Sequence, residues 1–500
     1  MNLPRLKTAM SSSSRNPSKY DRDRILALLS RPGCLFCREE EKTLKWFFFW
    51  YLHEGYPEPE NIDRMRRSCG FCPRHTSRLL SESLPHVIAI IYLSLISSAI
   101  EKLREAEKAP SSGQLTEMLV PKQRCPSCET RDRNVGHNLR SLRATLGHPD
   151  VREALGRNAA ICVPHLLMIA SHLDWEELRY LVGEANHHLG RAGDESVPGD
   201  ANSLAAMIWG FDQDAAYREN IPVTDGNDRD VELDMLGSAW SPTVTELRRR
   251  FSESGCFICH VQRRALAGYF EWLAKEIMEA PIYRWNAAFW LCREHAHEFA
   301  LQKNELAVSK LERAIRAHWL ANFEKLMEDL RYKPHDRLVF RLAEGPRRLR
   351  EKLSEDARVP RTLQSELWTV LGEAVRPPGR ILPELRERSL RATRCPACVY
   401  LETITIKNGD LLARAIEDPG TLRAYQESSG LCLRHLPRAL TFREESESAS
   451  NLLRAQKVRL ELLQWELREY GRKQSWTLRY EPRGTEQDAP RRAVAQYTGV

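Results

Sequence analysis

The sequence predicts an all-α protein, an array of four metal-clamped helical repeat units arranged as two pairs. Three observations carry this. Leu, Ala, Arg and Glu, all strong helix formers, dominate the 500 residues. Strand-like alternation of Val, Ile and Thr is sparse. Of the 13 cysteines, 12 fall into one pattern repeated four times at nearly constant spacing.

Each copy joins a Cys-x-x-Cys pair to a distant Cys-x-x-His pair. In the first, Cys34 and Cys37 are joined by the spacer 38–71 to Cys72 and His75. In the second, Cys125 and Cys128 are joined by 129–161 to Cys162 and His165. In the third, Cys256 and Cys259 are joined by 260–291 to Cys292 and His295. In the fourth, Cys395 and Cys398 are joined by 399–431 to Cys432 and His435. A spacer held this constant marks a structural repeat.

Three thiolates and one imidazole are the tetrahedral donor set of structural zinc, with no coordination position left for a reacting water. A helix N-terminus lowers the pKa of a nearby thiol and so favours the metal-binding thiolate. About four zinc ions per chain are expected. Iron–sulfur clusters accept the same donors and are the alternative cofactor. Each metal would add on the order of 10 kcal/mol to the folding of its unit. The even spacing favours ligands that pair within a copy, so Cys432 and His435 in GLCLRHL would complete a clamp with Cys395 and Cys398. Gly430 is placed to break the returning helix there. Two further residues imitate ligands. Cys69 has no thiol counterpart in the other copies, and His260 follows Cys259 without a repeat equivalent.

The elements follow in chain order. Residues 1–20 are basic, Ser-rich and free of an apolar stretch, and read as a disordered tail rather than a secretory signal. Residues 21–110 form unit 1 and 111–190 unit 2. Residues 191–242 form a polar linker with the apolar insert LAAMIWGF at 204–211. Unit 3 spans 243–330, a helical linker 331–390 and unit 4 391–475, before a C-terminal tail at 476–500. Within each unit the spacer reads as an outgoing helix, a turn and a shorter returning helix that brings the second ligand pair beside the first. Pro59, Pro149 and Pro419 each stand at one fixed distance ahead of the second ligand pair, and Pro281 stands slightly nearer to it. Proline suits the first turn of a helix. Long helices are expected over about 86–107, 304–330 and 446–472. Leu306, Leu311, Ile315, Trp319 and Phe323 form the buried face of one, and Leu452, Leu453, Leu460, Leu463 and Trp465 that of another. The cluster WFFFWYL at 46–52 reads as an aromatic core plug, and VIAIIYLSLISSAI at 87–100 as a core helix too short to span a membrane.

At its ligand segments the chain resembles a prokaryotic domain-of-unknown-function family. That family carries Cys-Pro-x-Cys at a helix start and Gly-Phe/Leu-Cys-x-x-His further on. The matching residues are Cys395-Pro396-Ala397-Cys398, Gly70-Phe71-Cys72-Pro73-Arg74-His75 and Gly430-Leu431-Cys432-Leu433-Arg434-His435. EPRGTEQDAPRRAVAQYTG at 481–499 is similar to the family's C-terminal segment. The resemblance implies the ligand set and no activity.

Function is read from the closed sites. They fit a non-enzymatic scaffold or adaptor that binds other proteins, because helical arrays present extended binding surfaces. An iron–sulfur electron-transfer or redox-sensing protein is the alternative. The formal net charge of +7 and the run Arg248-Arg249-Arg250 allow a third reading, nucleic-acid binding, although a solvated helix face explains that run more simply. No Gly-rich phosphate loop or nucleophile elbow marks an enzyme. The expected compartment is the cytoplasm, where Cys-x-x-Cys pairs serve metal or redox chemistry rather than disulfide frameworks.

Overall fold

The computed structural model describes residues 19–31, 33–108, 121–158, 161–191, 201–210, 244–253, 255–279, 291–301, 305–329, 395–440, 447–478 and 480–499. The fold is all-α, with helices and no strands among the described residues.

Each copy begins with an outgoing helix: Leu35–Trp50, Pro126–Thr145, Phe257–Glu279 and Pro396–Ala415. The first continues into a π turn at Tyr51–Gly55. Returning helices start at the expected prolines, over Pro59–Arg67, Pro149–Asn158 and Pro419–Glu427. Proline has no N–H to waste at the first helical position and its φ is already helical. In the last of the three, the Asp418 carboxylate caps the helix by accepting from the Thr421 N–H at 2.7 Å. Pro281 lies outside the described residues, as do the expected linker helices of 331–390. The three long helices form at Pro85–Lys108, Glu305–Asp329 and Glu447–Lys473.

The chain divides into two compact units that cut across the repeat boundaries. One comprises residues 1–39, 134–211 and 312–392; the other comprises 40–133, 212–311 and 393–500. In the first, Lys19–Leu29 packs on Pro149–Asn158, with Ile25 and Leu29 fully buried. Arg22 Nε donates to the Asp150 carboxylate at 2.9 Å across that contact. The apolar insert forms the helix Ala201–Trp209, packed on Val163–Ile169 through buried Leu204, Met207, Ile208 and Trp209.

In the second unit, Pro85–Lys108 lies against Glu447–Lys473 and Ala489–Thr498. By length and composition Pro85–Glu107 is apolar enough to cross a membrane. Here Tyr92, Leu95, Ile96 and Leu103 are buried in the core, beside Leu460, Leu463 and Leu467. Polar contacts set the register: Gln464 Nε2 donates to Ser97 Oγ at 2.7 Å, and the Tyr497 hydroxyl donates to the Leu95 carbonyl at 2.5 Å. Within the segment 476–500, expected as a tail, residues 485–498 fold into a 3₁₀ turn at Thr485–Asp488 and the helix Ala489–Thr498. Ala493 and Val494 there are fully buried, an apolar face that a tail would not need.

Three expectations about side chains divide. Phe47, Phe48, Tyr51 and Leu52 are core residues, whereas Trp46 and Phe49 face solvent. Leu452, Leu453, Leu460 and Leu463 are buried, but Trp465 is 60% exposed. Leu311, Ile315, Trp319 and Phe323 are buried, but Leu306 is exposed. In the second unit the buried charge of Arg78 is paired. Arg78, fully buried, donates to Glu82 at 2.8 Å and Glu41 at 3.3 Å, and lies over the Phe48 ring. Unpaired, such a charge would cost several kcal/mol.

The packing makes a prediction. Leu460→Ala should destabilise the second unit by ~2–5 kcal/mol, while exposed Leu462→Ala stays within ~0.5 kcal/mol. Denaturant titration followed by circular dichroism checks both.

Candidate metal centres

One local hydrogen bond is common to all eight ligand pairs. In each, the carbonyl of the first ligand accepts a hydrogen bond from the N–H four residues on, and in seven of the eight that first ligand is the residue just before a helix. These bonds are Cys34–Arg38, Cys72–Thr76, Cys125–Glu129, Cys162–Leu166, Cys256–His260, Cys292–Ala296, Cys395–Val399 and Cys432–Leu436, at 2.9–3.2 Å. In those seven the second ligand sits one turn into the helix, on the same face as the first. Both point along the end where unpaired N–H groups concentrate positive potential, which favours thiolates. In the eighth, Leu433–His435 form a turn and the helix begins only at Leu436.

All sixteen predicted ligands are brought together in four groups of Cys3His that can hold a metal ion. The partners, however, are exchanged between copies. Cys34 and Cys37 meet Cys162 and His165 (site 1), and Cys72 and His75 meet Cys125 and Cys128 (site 2). Cys256 and Cys259 meet Cys432 and His435 (site 3), and Cys292 and His295 meet Cys395 and Cys398 (site 4). Pairing within a copy is thus overturned. The reason is helix length. The outgoing helices Pro126–Thr145 and Pro396–Ala415 have 20 residues each, and their returning helices have 10 and 9. At 1.5 Å per residue the chain goes out about 30 Å and comes back about 14 Å. The returning ligands end short of their own copy's Cys-x-x-Cys and complete the adjacent copy's instead.

Within each site the donor atoms are close and mutually oriented. Sulfur–sulfur separations are 3.7 Å for Cys37–Cys162, 3.8 Å for Cys72–Cys128, 3.8 Å for Cys259–Cys432 and 3.9 Å for Cys292–Cys398. Every histidine turns Nδ1 to the sulfurs: at 3.1–3.6 Å in site 1, 3.3–3.5 Å in sites 2 and 3, and 3.3 Å in site 4. All donors of a site lie within 4.8 Å of one another. Aromatic rings wall the imidazoles: Phe36 stacks on His165 at 5.4 Å, and Phe48 and Phe270 lie 6.3 Å from His75 and His295.

The electrostatics favour positive charge at the centre of sites 2 and 4. Hydrogen bonds from Cys125 and Cys72 hold the Cys128 thiol far below its ordinary range, and those from Cys292 and Cys398 do the same for Cys395. Burial disfavours the charged imidazole of His75, yet hydrogen bonds to Cys125 and Cys128 raise it to about 9. His295 rises likewise to about 10 through Cys395 and Cys398, against its burial. Thiolates this crowded recruit a proton onto the neighbouring ring, and a divalent cation supplies that charge better.

Site 3 has a cover that the spacing did not reveal. Gly499, at φ 75°, ends the helix Ala489–Thr498, and a Cβ built there would clash with Cys259 Sγ. The Leu433 N–H donates to the Gln496 carbonyl at 2.7 Å and pins that helix to the loop carrying Cys432. Gly430 is left-handed as well, at φ 71°, where the chain turns into that loop. The two imitators stand aside. Cys69 lies 3.8 Å from Lys102 Nζ, and His260 faces Glu253 at 3.6 Å and Arg263 at 3.3 Å. One buried carboxylate that sequence reasoning missed joins two sites: Glu40 lies 3.6 Å from Arg131, near Cys128, and 3.8 Å from Arg293, next to Cys292.

Comparison with protein-family models, curated proteins and solved structures finds no match.

The exchanged pairing has a direct test. In a Cys432→Ser variant, alkylation mapped by mass spectrometry should rise at Cys256 and Cys259 and stay unchanged at Cys395 and Cys398. The reverse pattern would restore pairing within copies.

Proposed function

We propose that this protein is a non-enzymatic, zinc-stabilised helical scaffold or adaptor that binds other proteins in the cytoplasm. One observation carries the metal assignment. A tetrahedral zinc with bonds of about 2.3 Å to sulfur and about 2.0 Å to nitrogen sets donor separations of about 3.8 Å between sulfurs and about 3.5 Å from sulfur to nitrogen. The four sites match those edges. An iron–sulfur cluster would spread the same thiolates over several irons. Four protein donors also fill the coordination sphere, which suits structure rather than catalysis.

Two exposed apolar rows support the binding role. Trp46 and Phe49 stand together on Leu35–Trp50, with ring centroids 6.5 Å apart and both more than half exposed. Val458, Leu462 and Trp465 recur at helical spacing on the outer face of Glu447–Lys473. Solvent-facing aromatic and aliphatic side chains in rows mark surfaces that a partner protein can cover. The basic run gives nucleic acid no comparable support. Arg248 is committed to Asp418 and Thr421, and Arg250 is buried.

Metal analysis of the purified chain tests the first half. About four zinc per chain and a colourless solution are expected; iron, with or without sulfide, would overturn the zinc assignment. For the second half, proteins retained by the wild-type chain should be lost by a Leu462→Ser, Trp465→Ser variant whose zinc content is unchanged. Identical retention by both would remove that surface from the proposal.

A further inference from the structure

The four sites differ in how far solvent reaches their sulfurs. Every ligand of sites 1 and 3 is buried. In site 2, Cys72 and Cys128 are partly covered. In site 4, Cys292 is partly covered, and Cys398 is the one exposed cysteine among the thirteen. The contrast with site 3 is positional. Cys259 and Cys398 occupy the same place in their repeats, the second ligand of an outgoing helix. Gly499 closes over Cys259, whereas Cys398 sits beside exposed Val399. The Cys398 sulfur is also 3.9 Å from that of Cys292, across the contact between two helix N-termini.

Resting on the zinc reading above, we infer that site 4 is a modification site for small hydroperoxides, at which Cys398 and Cys292 are oxidised to a disulfide and the ion of this site alone is released. Reactivity toward oxidants follows thiolate character and access. A metal-bound sulfur keeps the first, and only site 4 combines it with an open approach. The Cys398 thiolate attacks the peroxide, the O–O bond breaks and a sulfenic acid forms on Cys398. The Cys292 thiolate then displaces its oxygen and forms the S–S bond. Two thiolates, one hydrogen peroxide and two protons give one disulfide and two waters; the sulfurs lose two electrons and the peroxide oxygens gain them. The two remaining donors, His295 and Cys395, no longer hold the ion, and the helix Arg293–Ala300 loses its metal tie to Pro396–Ala415. Release from site 4 also leaves Glu40 bound to Arg293 next to a broken clamp, while its contact to Arg131 stays beside an intact site 2.

The test starts from wild-type protein with its zinc content measured. Hydrogen peroxide is added while a zinc-responsive dye reports release, and peptide mapping locates disulfides. The expected result is one ion lost of the four, a Cys292–Cys398 cross-link, and rebinding of the ion after thiol reduction. A Val399→Trp variant, which places bulk beside the exposed sulfur without touching a ligand, should slow that first release and leave the zinc content at four. Loss of all four ions together, a first disulfide in another site, or no release at peroxide doses that oxidise a free cysteine peptide would overturn the inference and leave the zinc scaffold standing. A chain that carries no zinc before peroxide is added overturns both.

Discussion

Sites 1, 2 and 4 are each made by two helix N-termini facing each other, site 3 by one helix N-terminus facing the turn at Cys432–His435, and the rest of the fold is arranged to deliver them. A helix can offer two side chains to one point at its N-terminus, from the last non-helical residue and the third helical one. Both then sit in the positive end of the macrodipole, which favours thiolate over thiol. The cost of this arrangement is directional. Two helices that meet start to start must run away from each other, so neither can lead the chain straight back. The returning helices are too short to carry their ligands back to the start of the outgoing helices that precede them, so they reach a different meeting point.

Exchange between copies is inexpensive on this scale. Closing a loop of 131 residues, from Cys34 to His165, instead of about 40 costs roughly 1–2 kcal/mol more chain entropy. A structural zinc site contributes on the order of 10 kcal/mol. Helix geometry therefore decides the partner, and loop length does not. The same argument explains why the exchange was not legible in the sequence. Spacers of nearly constant length fix how far apart the ligand pairs lie along the chain and carry no information on the distance between them in space. Helix lengths do carry it: Pro149 and Pro419 open the returning limbs, so their brevity could have been weighed against the outgoing ones.

What was legible rests on local chemistry. The ligand identities, the outgoing helices and the prolines that open the returning ones follow from residue type and spacing, which act over a short stretch of chain. The long helices Pro85–Lys108, Glu305–Asp329 and Glu447–Lys473 followed from apolar periodicity. That periodicity misplaced Trp465 and Leu306, because a stripe marks a face without saying how wide the neighbouring helix is. The terminal helix Ala489–Thr498 was missed for a similar reason. Its apolar residues are mostly small, Ala489, Ala493 and Val494, and such residues become a signal only when a long helix such as Pro85–Lys108 is present to receive them. Gly499 is the extreme case: its role against Cys259 is the absence of a side chain.

The exchange nests one centre inside another. The ligands of site 2 all lie between residues 72 and 128, enclosed by those of site 1 at 34 and 165; site 4, at 292–398, is enclosed by site 3 at 256–435. During synthesis the inner centre of each pair has its full donor set first, while the outer one waits with a bare Cys-x-x-Cys until the second copy is finished. An inner ion would then fix two helix starts before the outer thiolates have any histidine to choose, so the order of residues on the chain would also order the loading of a metal.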